Sequence, residues 1–309
     1  MDWRLKGAIQ KALGFVPGGR RIHYGLQRAA GGLADFGREC DIKVDDWRLM
    51  MTHLRTAGVA VAGATIVEVG AGRFPTFPMC LYLAGAERVY ALDHERMIEP
   101  ELVQDLADRL SNHVALIADV THRPEPEITA LQRAMVTALR RGGSLAVATG
   151  NVVDYRAPAD ATATALPAGT IDIVFSNSVL EHMPVPAIEA AFTEALRILR
   201  PGGVMFHAVN CGDHYAYVDR SINQLHYLQY SDEEWEPWNN AFLYQNRLRA
   251  KEFTRMARAA GFVIALDASR PHPKRIAELA KMTVHPQFST VYTPDELAIT
   301  SVDFVARKP

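Results

Sequence analysis

The apolar run 64–69 closes on Glu68-Val-Gly-Ala-Gly72, and a second strand-like run ends on Asp93. A strand that stops on glycines brings bare backbone up to a ligand, and an acid at the tip of the next strand suits a ribose diol. These residues predict a site for a nucleoside-bearing cofactor. The glycines alone could serve only a strand-to-helix turn; the acid at the right spacing favours binding. The loop continues Gly70-Ala-Gly-Arg-Phe-Pro-Thr-Phe-Pro78, with proline where dinucleotide sites carry a third glycine. Pro75 and Pro78 have no N–H to give, and pyrophosphate binding needs free backbone amides. The loop therefore disfavours a phosphate-bearing cofactor and leaves room for adenosine without phosphate.

Groups able to move protons recur beyond later strand-like runs. Glu181-His182 follows the run 171–176, and Asp213-His214-Tyr215 follows the run 204–209. A hydroxyl acceptor needs a base, and imidazole titrates near neutrality. His214 is the favoured base, because the adjacent Asp213 could orient its ring; His182 is the alternative, with a brace for the next helix as its plainer role. Neither spacing by itself defines a catalytic dyad. Asp172 opens an apolar strand and reads as a fold-shaping residue.

Composition narrows the setting. The chain has 309 residues, 33 basic and 35 acidic, which gives no global pull toward nucleic acid or an anionic membrane. Cys40, Cys80 and Cys211 are few and far apart, so neither a disulfide framework nor a metal centre is expected. The first residues lack a secretory core, and no run approaches the ~20 apolar residues of a spanning helix. A cytoplasmic protein is the expectation.

The elements that must position these residues alternate from residue 65 onward, the pattern of a parallel sheet with helices on both faces. Residues 1–60 form a helical extension, with a turn at Pro17-Gly18-Gly19 and a helix over 44–57 whose Trp47, Met51 and Leu54 share a face. Residues 66–69 are the first strand, 78–84 a helix and 89–92 the second strand. The stretch 95–141 reads as an insertion and includes a strand-like piece at 114–118. The third core strand is either 113–120, ending near Asp119, or 152–156, leading to Asp160; the second is preferred for its place just ahead of the next strand. A helix over 186–199 is stopped by Arg200-Pro-Gly-Gly203 before a fifth strand at 204–209. Residues 251–260 are an amphipathic helix, and strands follow at 262–266 and 299–306. Between them, 210–247 breaks the rhythm: eight aromatics fall between Tyr215 and Tyr244 in a chain that is 8% aromatic. It reads either as a substrate lid or as an appendage filling its own small core.

The linked order of Glu68-x-Gly70-x-Gly72, Asp93, Asp160-Ala161, Ile171-Asp-Ile-Val-Phe-Ser-Asn-Ser-Val-Leu-Glu-His182 and Leu199-Arg-Pro-Gly-Gly203 resembles the class I S-adenosylmethionine-dependent methyltransferases. The resemblance covers residues 64–309 and implies a doubly wound, mostly parallel seven-stranded sheet whose last strand is antiparallel, in one domain over 61–309. It implies S-adenosylmethionine as cofactor. Gly70 and Gly72 would pass under its methionine part, Glu68 would orient the ammonium, and Asp93 would hold the ribose hydroxyls. Asp160 would accept from the adenine amino group, with Asp119 in reserve. Ala161 would offer its amide, and Asn177 would line the site near the sulfonium. The fourth strand ends on Ser176-Asn-Ser-Val, which lacks the Pro-Pro-aromatic motif of amino-methylating nucleic-acid enzymes. A small-molecule acceptor methylated on oxygen is therefore the expectation. A cofactor-binding module without catalysis and a nicotinamide-dependent oxidoreductase are the alternatives.

Overall fold

Strand positions in this chain alternate between two cores, and that alternation sets the architecture. The computed structural model describes residues 1–16, 36–240 and 242–309; the turn expected at Pro17-Gly18-Gly19 lies outside them. Helices α1 (Trp3–Gly14) and α2 (Phe36–Thr56) precede β1 (Thr65–Val69), α3 (Thr76–Leu83) and β2 (Arg88–Leu92). Then come α4 (Pro100–Arg109), α5 (Val114–Thr121), α6 (Glu125–Arg140), β3 (Val153–Arg156), β4 (Ile171–Asn177), α7 (Val185–Ile198) and β5 (Leu199–Asn210). The chain closes with α8 (Ala250–Ala259), β6 (Val263–Asp267), α9 (Pro273–Leu279) and β7 (Ser301–Arg307), interspersed with single-turn helices.

The seven strands form one sheet in the order β3-β2-β1-β4-β5-β7-β6. All neighbours run parallel except β7, which is antiparallel to both β5 and β6. The doubly wound seven-stranded sheet implied by the resemblance is thus present. Successive side chains of a strand face opposite ways. Ile66, Ile173, Phe175, Val204 and Phe206 enter a core beneath α2 to α6, whereas Val67, Val174 and Met205 enter a second core with Ile188 and Phe192 of α7 and Phe253 and Met256 of α8.

Several elements depart from the sequence expectation. Residues 114–118 are helical, not extended: Val114, Ile117 and Ala118 are the buried positions, a spacing of three and four that outweighs the β-branched composition of the segment. The third strand is Val153–Arg156, as preferred. In α2 the buried seam is Cys40, Val44, Trp47, Met50 and Leu54, so Met50 rather than Met51 carries it. Arg200-Pro-Gly-Gly203 does not merely end α7; it begins β5 as a bulge, across which the pairing moves from Ile171–Leu199 to Ile173–Val204. Gly202 adopts φ +77° there, and Gly202 and Gly203 bond Lys308 through backbone at 2.9 Å each. Asp172 accepts the Thr65 N–H at 2.7 Å and pairs with Arg200, which confirms its fold-shaping role.

The aromatic segment builds a third core of its own. Tyr215, Tyr227 and Trp235 are buried with Leu225, Leu228 and, from α1, Trp3. Trp3 stacks on Trp235 with ring centroids 5.8 Å apart, and its backbone N–H donates to Asp219 Oδ2 at 3.0 Å. The amino-terminal helix is therefore packed onto the segment that follows β5. Asp2 caps α1 by accepting from Arg4 and Leu5 N–H groups at 2.8 and 3.1 Å.

One buried titratable group ties the fold to pH. His207 of β5 lies between Phe192 and Phe304, bonded to Ser176 Oγ through Nδ1 at 2.7 Å. Burial lowers its pKa to about 3. The unfolded chain takes up this proton near pH 6.5 while the folded chain does not, so the contribution to stability is fully present above about pH 6.5 and is lost as pH falls through the window down to about 3. Thermal denaturation should show the melting temperature falling below pH 6.5, with a shallower slope in His207→Gln; an unchanged slope in that variant would place the acid sensitivity elsewhere.

Candidate functional site

The parallel strands β1 to β5 all end on one edge of the sheet, and the side chains with chemistry gather there. Beyond β1 the chain turns back sharply. Gly70 and Gly72 have φ +77° and +64°, the left-handed region that glycine enters without strain, and a Cβ on Gly70 would stand 2.4 Å from a methyl of Val179. The Gly70 and Ala71 N–H groups donate to Leu92 O at 2.8 and 3.0 Å. Gly72 N–H then donates to Asp93 Oδ2 at 2.7 Å, and Asp93 Oδ1 accepts from Glu95 N–H at 3.0 Å. Asp93 backbone is held as well, donating to Arg156 O at 3.0 Å and accepting from Ala159 N–H at 2.8 Å. The acid at the tip of β2 is buried and fixed from three sides.

A cavity of about 180 Å³ opens beside this loop, lined by Lys43, Glu68, Gly70, Gly72, Phe74 and Asn177 among others. Glu68 is 5% exposed and its Oε2 has no hydrogen-bond partner. Burial raises its pKa to about 8; Lys43 opposes the shift and Asp93 adds to it. Lys43 reaches in from α2 and donates to Asn177 Oδ1 at 2.5 Å. Sequence reading missed Lys43, because no local spacing ties residue 43 to the glycine loop. It also missed Tyr155 of β3, whose hydroxyl donates to Glu95 O and accepts from Met97 N–H at 3.3 Å each, bracing the turn after Asp93.

These residues fit the methionine and ribose ends of S-adenosylmethionine. An orphaned buried carboxyl oxygen on Glu68 matches an ammonium, and a carboxylate accepts about four hydrogen bonds, so Asp93 keeps capacity for a diol beside Gly72 and Glu95. A diphosphate fits badly. Thr76 N–H, at the first turn of α3, is bonded to Phe74 O at 2.7 Å, and Pro75 and Pro78 flank it without amides. Asp160 is exposed at the same sheet edge, next to Ala159 and Ala161, with Oδ1 accepting from Thr162 N–H and O–H at 2.8 and 2.7 Å. Asp119 is elsewhere: it lies on α5 beside Arg48, Thr52 and Arg55 of α2. Arg123, just beyond, binds Leu83 O at the end of α3, where the chain enters the sheet's opposite edge.

The expected proton-moving residues separate into two groups. Asp213 does not face His214. Fully buried, it caps the turn His214–Tyr217 through Tyr215 N–H at 2.8 Å and pairs with His226 Nδ1 at 2.9 Å, because successive residues of a tight turn point apart. His214 meets His182 instead, ring centroids 5.0 Å apart, with Glu181 beside them. Burial, with His182 and Lys6 nearby, lowers the His214 pKa to about 4. The ring is neutral at pH 7 and a weak proton acceptor, so the unperturbed value assumed from sequence does not hold. Burial raises Glu181 to about 7.

The protonated Glu68 gives a pH test. An ammonium held by its carboxylate favours the ionised form, so cofactor binding below about pH 8 should release a proton, and affinity should rise as pH climbs toward 8. Calorimetry with S-adenosylhomocysteine in buffers of different ionisation enthalpy should show that release in the native chain and its loss in Glu68→Gln; equal release in both would remove Glu68 from the site. Asp160→Ala should weaken the same ligand by about 1–2 kcal/mol, while Asp119→Ala should leave it unchanged. The reverse ranking in a titration would put the adenine elsewhere.

Residues 128–207 match the family model of a methyltransferase domain. No curated protein matches the chain. Among solved structures, an S-adenosylmethionine-dependent methyltransferase from Mesorhizobium loti is 15% identical over 81% of this chain and 93% of its own, with a TM-score of 0.45. The geranyl diphosphate C-methyltransferase from Streptomyces coelicolor A3(2), bound to Mg2+, geranyl diphosphate and S-adenosyl-L-homocysteine, is 15% identical over 86% and 79%, with a TM-score of 0.48. The [4+2]-cyclase SpnF is 18% identical over 80% and 76%, with a TM-score of 0.44. Likenesses at this level say nothing about the acceptor. The matched domain over 128–207, the sheet with its antiparallel β7, and the glycine loop joined to Asp93 agree with the resemblance to the class I S-adenosylmethionine-dependent methyltransferases.

Proposed function

We propose that the protein methylates an oxygen of a small organic acceptor bound where β4 and β5 end. The observation that carries this reading is the position of Asn177. It lines the cavity of the glycine loop and also a second cleft of about 370 Å³, shared with Ser178, Asn210, Tyr217, Gln224 and Asp303. That volume suits a small molecule, and one side chain joins its two halves.

When bound, S-adenosylmethionine supplies a methyl group on a sulfonium, which an in-line nucleophile takes. The protein's part is alignment. Glu68, Asp93 and the glycine turn would hold the donor, and Asn177, fixed by Lys43, would stand at the junction with the acceptor. Placing two reactants in line in a shaped site supplies much of the rate. Tyr217 is 59% exposed, takes a hydrogen bond from Asn210 Nδ2 at 2.6 Å, and sets its ring 5.5 Å from His214. It would form the acceptor wall nearest the Glu181–His182–His214 group. Of the aromatic segment, then, Tyr217 serves the cleft, while Tyr215, Tyr227 and Trp235 hold the segment together from inside.

Charge favours a neutral or cationic acceptor over a nucleic acid. Asp46 and Asp303 line the cleft, and carboxylates repel a polyanion. Among the described residues no helix is long and apolar enough to cross a membrane. The three cysteines are buried and unpaired, which supports a reducing, cytoplasmic setting.

Incubation with S-adenosylmethionine carrying a labelled methyl group and fractionated metabolites should yield labelled methyl ethers or esters. Asn177→Ala should lower kcat by about tenfold to a hundredfold through lost alignment, whereas Tyr217→Ala should act mainly on KM for the acceptor. Label found in polynucleotide, or on carbon or nitrogen of the acceptor, would contradict the oxygen assignment.

A further inference from the structure

Beside the acceptor cleft, Glu181, His182 and His214 offer a carboxylate oxygen and two ring nitrogens, all within 4.8 Å of one another. They come from two segments: the turn Leu180–His182 after β4 and the turn His214–Tyr217 after β5. Glu181 is 2% exposed, with no side chain bonded to its carboxyl and only the backbone N–H groups of Glu181 itself and Asn210 acting on it; His214 Nε2 is buried and unpartnered. Leaving such groups under-satisfied in the interior is costly, and here they converge. His182 Nδ1 lies 2.7 Å from Tyr244 O. A carbonyl only accepts, so Nδ1 carries the ring proton and Nε2 presents a lone pair, the tautomer a metal ligand needs.

We propose that Glu181, His182 and His214 bind a divalent transition-metal ion of the zinc class, with its remaining coordination positions open to the acceptor. Two imidazoles and one carboxylate form a donor set used by catalytic zinc and iron(II) centres. Ligands about 2.1 Å from one ion lie at most about 4.2 Å apart, so a small inward turn of the solvent-exposed His182 ring closes the site. That exposed ring also marks the path of entry. Lys43 and Lys6 are the cations within electrostatic reach of Glu181 and His214; they temper the affinity.

The ion's role, though not its binding, rests on the proposed oxygen methylation. A hydroxyl acceptor must lose its proton before or as it takes the methyl group. A hydroxyl bound to the ion loses its proton to water at lower pH, and the electron pair left on oxygen forms the bond to the methyl carbon as the carbon–sulfur bond breaks and its pair stays on sulfur.

The test uses untagged full-length protein stripped with chelator, titrated with Zn2+ alone, and S-adenosylhomocysteine affinity measured on the same samples. The expected result is one Zn2+ per chain, weakened about a hundredfold or more in His182→Ala, His214→Ala and Glu181→Gln, with S-adenosylhomocysteine affinity unchanged throughout. His182→Ala is the decisive variant, because its exposed ring can be removed without opening the core. Absence of stoichiometric Zn2+ binding, or native affinity in His182→Ala, overturns the metal site and leaves the methyltransferase reading standing. Failure to bind S-adenosylhomocysteine would count against that reading separately.

Discussion

The hydrogen bond from Gly72 N–H to Asp93 Oδ2, 2.7 Å long, is the interaction on which the ligand edge depends. Asp93 ends β2, yet its carboxylate fixes the loop after β1 and its backbone fixes the segment after β3, through Arg156 and Ala159. Three neighbouring strand ends are thereby joined at one buried acid. Glycine enters the left-handed backbone region at position 72, where φ is +64°, without strain, and the bond leaves the carboxylate held in place beside the glycine loop. A group held this way costs little further ordering when a diol arrives.

The two halves of the site are joined by helices and turns that lie far apart in the chain. Lys43 comes from α2, which packs on the sheet through Trp47 and Met50, and it reaches Asn177 at the end of β4. Asn177 in turn lines both the glycine-loop cavity and the cleft where β4 and β5 end. Beyond it, α1 packs Trp3 into the aromatic core that carries the His214 turn. The amino-terminal extension thus supports the sheet edge on both sides: α2 contributes a cation to the glycine-loop cavity, and α1 packs onto the segment that carries the His214 turn.

Much of this was legible in the sequence, for reasons that differ by residue. Glu68, Gly70, Gly72 and Asp93 were visible because backbone approach requires glycine and the strand period fixes where the acid falls. The preference for residues 152–156 as third strand was right because position relative to the next strand carries topological information. The segment 114–118 misled because its β-branched residues suit a strand locally, whereas burial at Val114, Ile117 and Ala118 follows a helical period. Asp213 misled for a geometric reason: adjacency in sequence does not mean adjacency of side chains in a tight turn, and the partner of His214 is His182, thirty-two positions earlier (214 less 182). Lys43 had no sequence signal, since its role arises only from the packing of α2 across the sheet edge.

A crystal structure of the full chain with S-adenosylhomocysteine is the most direct test of the account. The account predicts both ribose hydroxyls on the Asp93 carboxylate, the amino group against Glu68, the adenine at Asp160 and Ala161, and the sulfur directed at Asn177. A ligand seated at the opposite edge of the sheet, or one whose ribose lies away from Asp93, would contradict it.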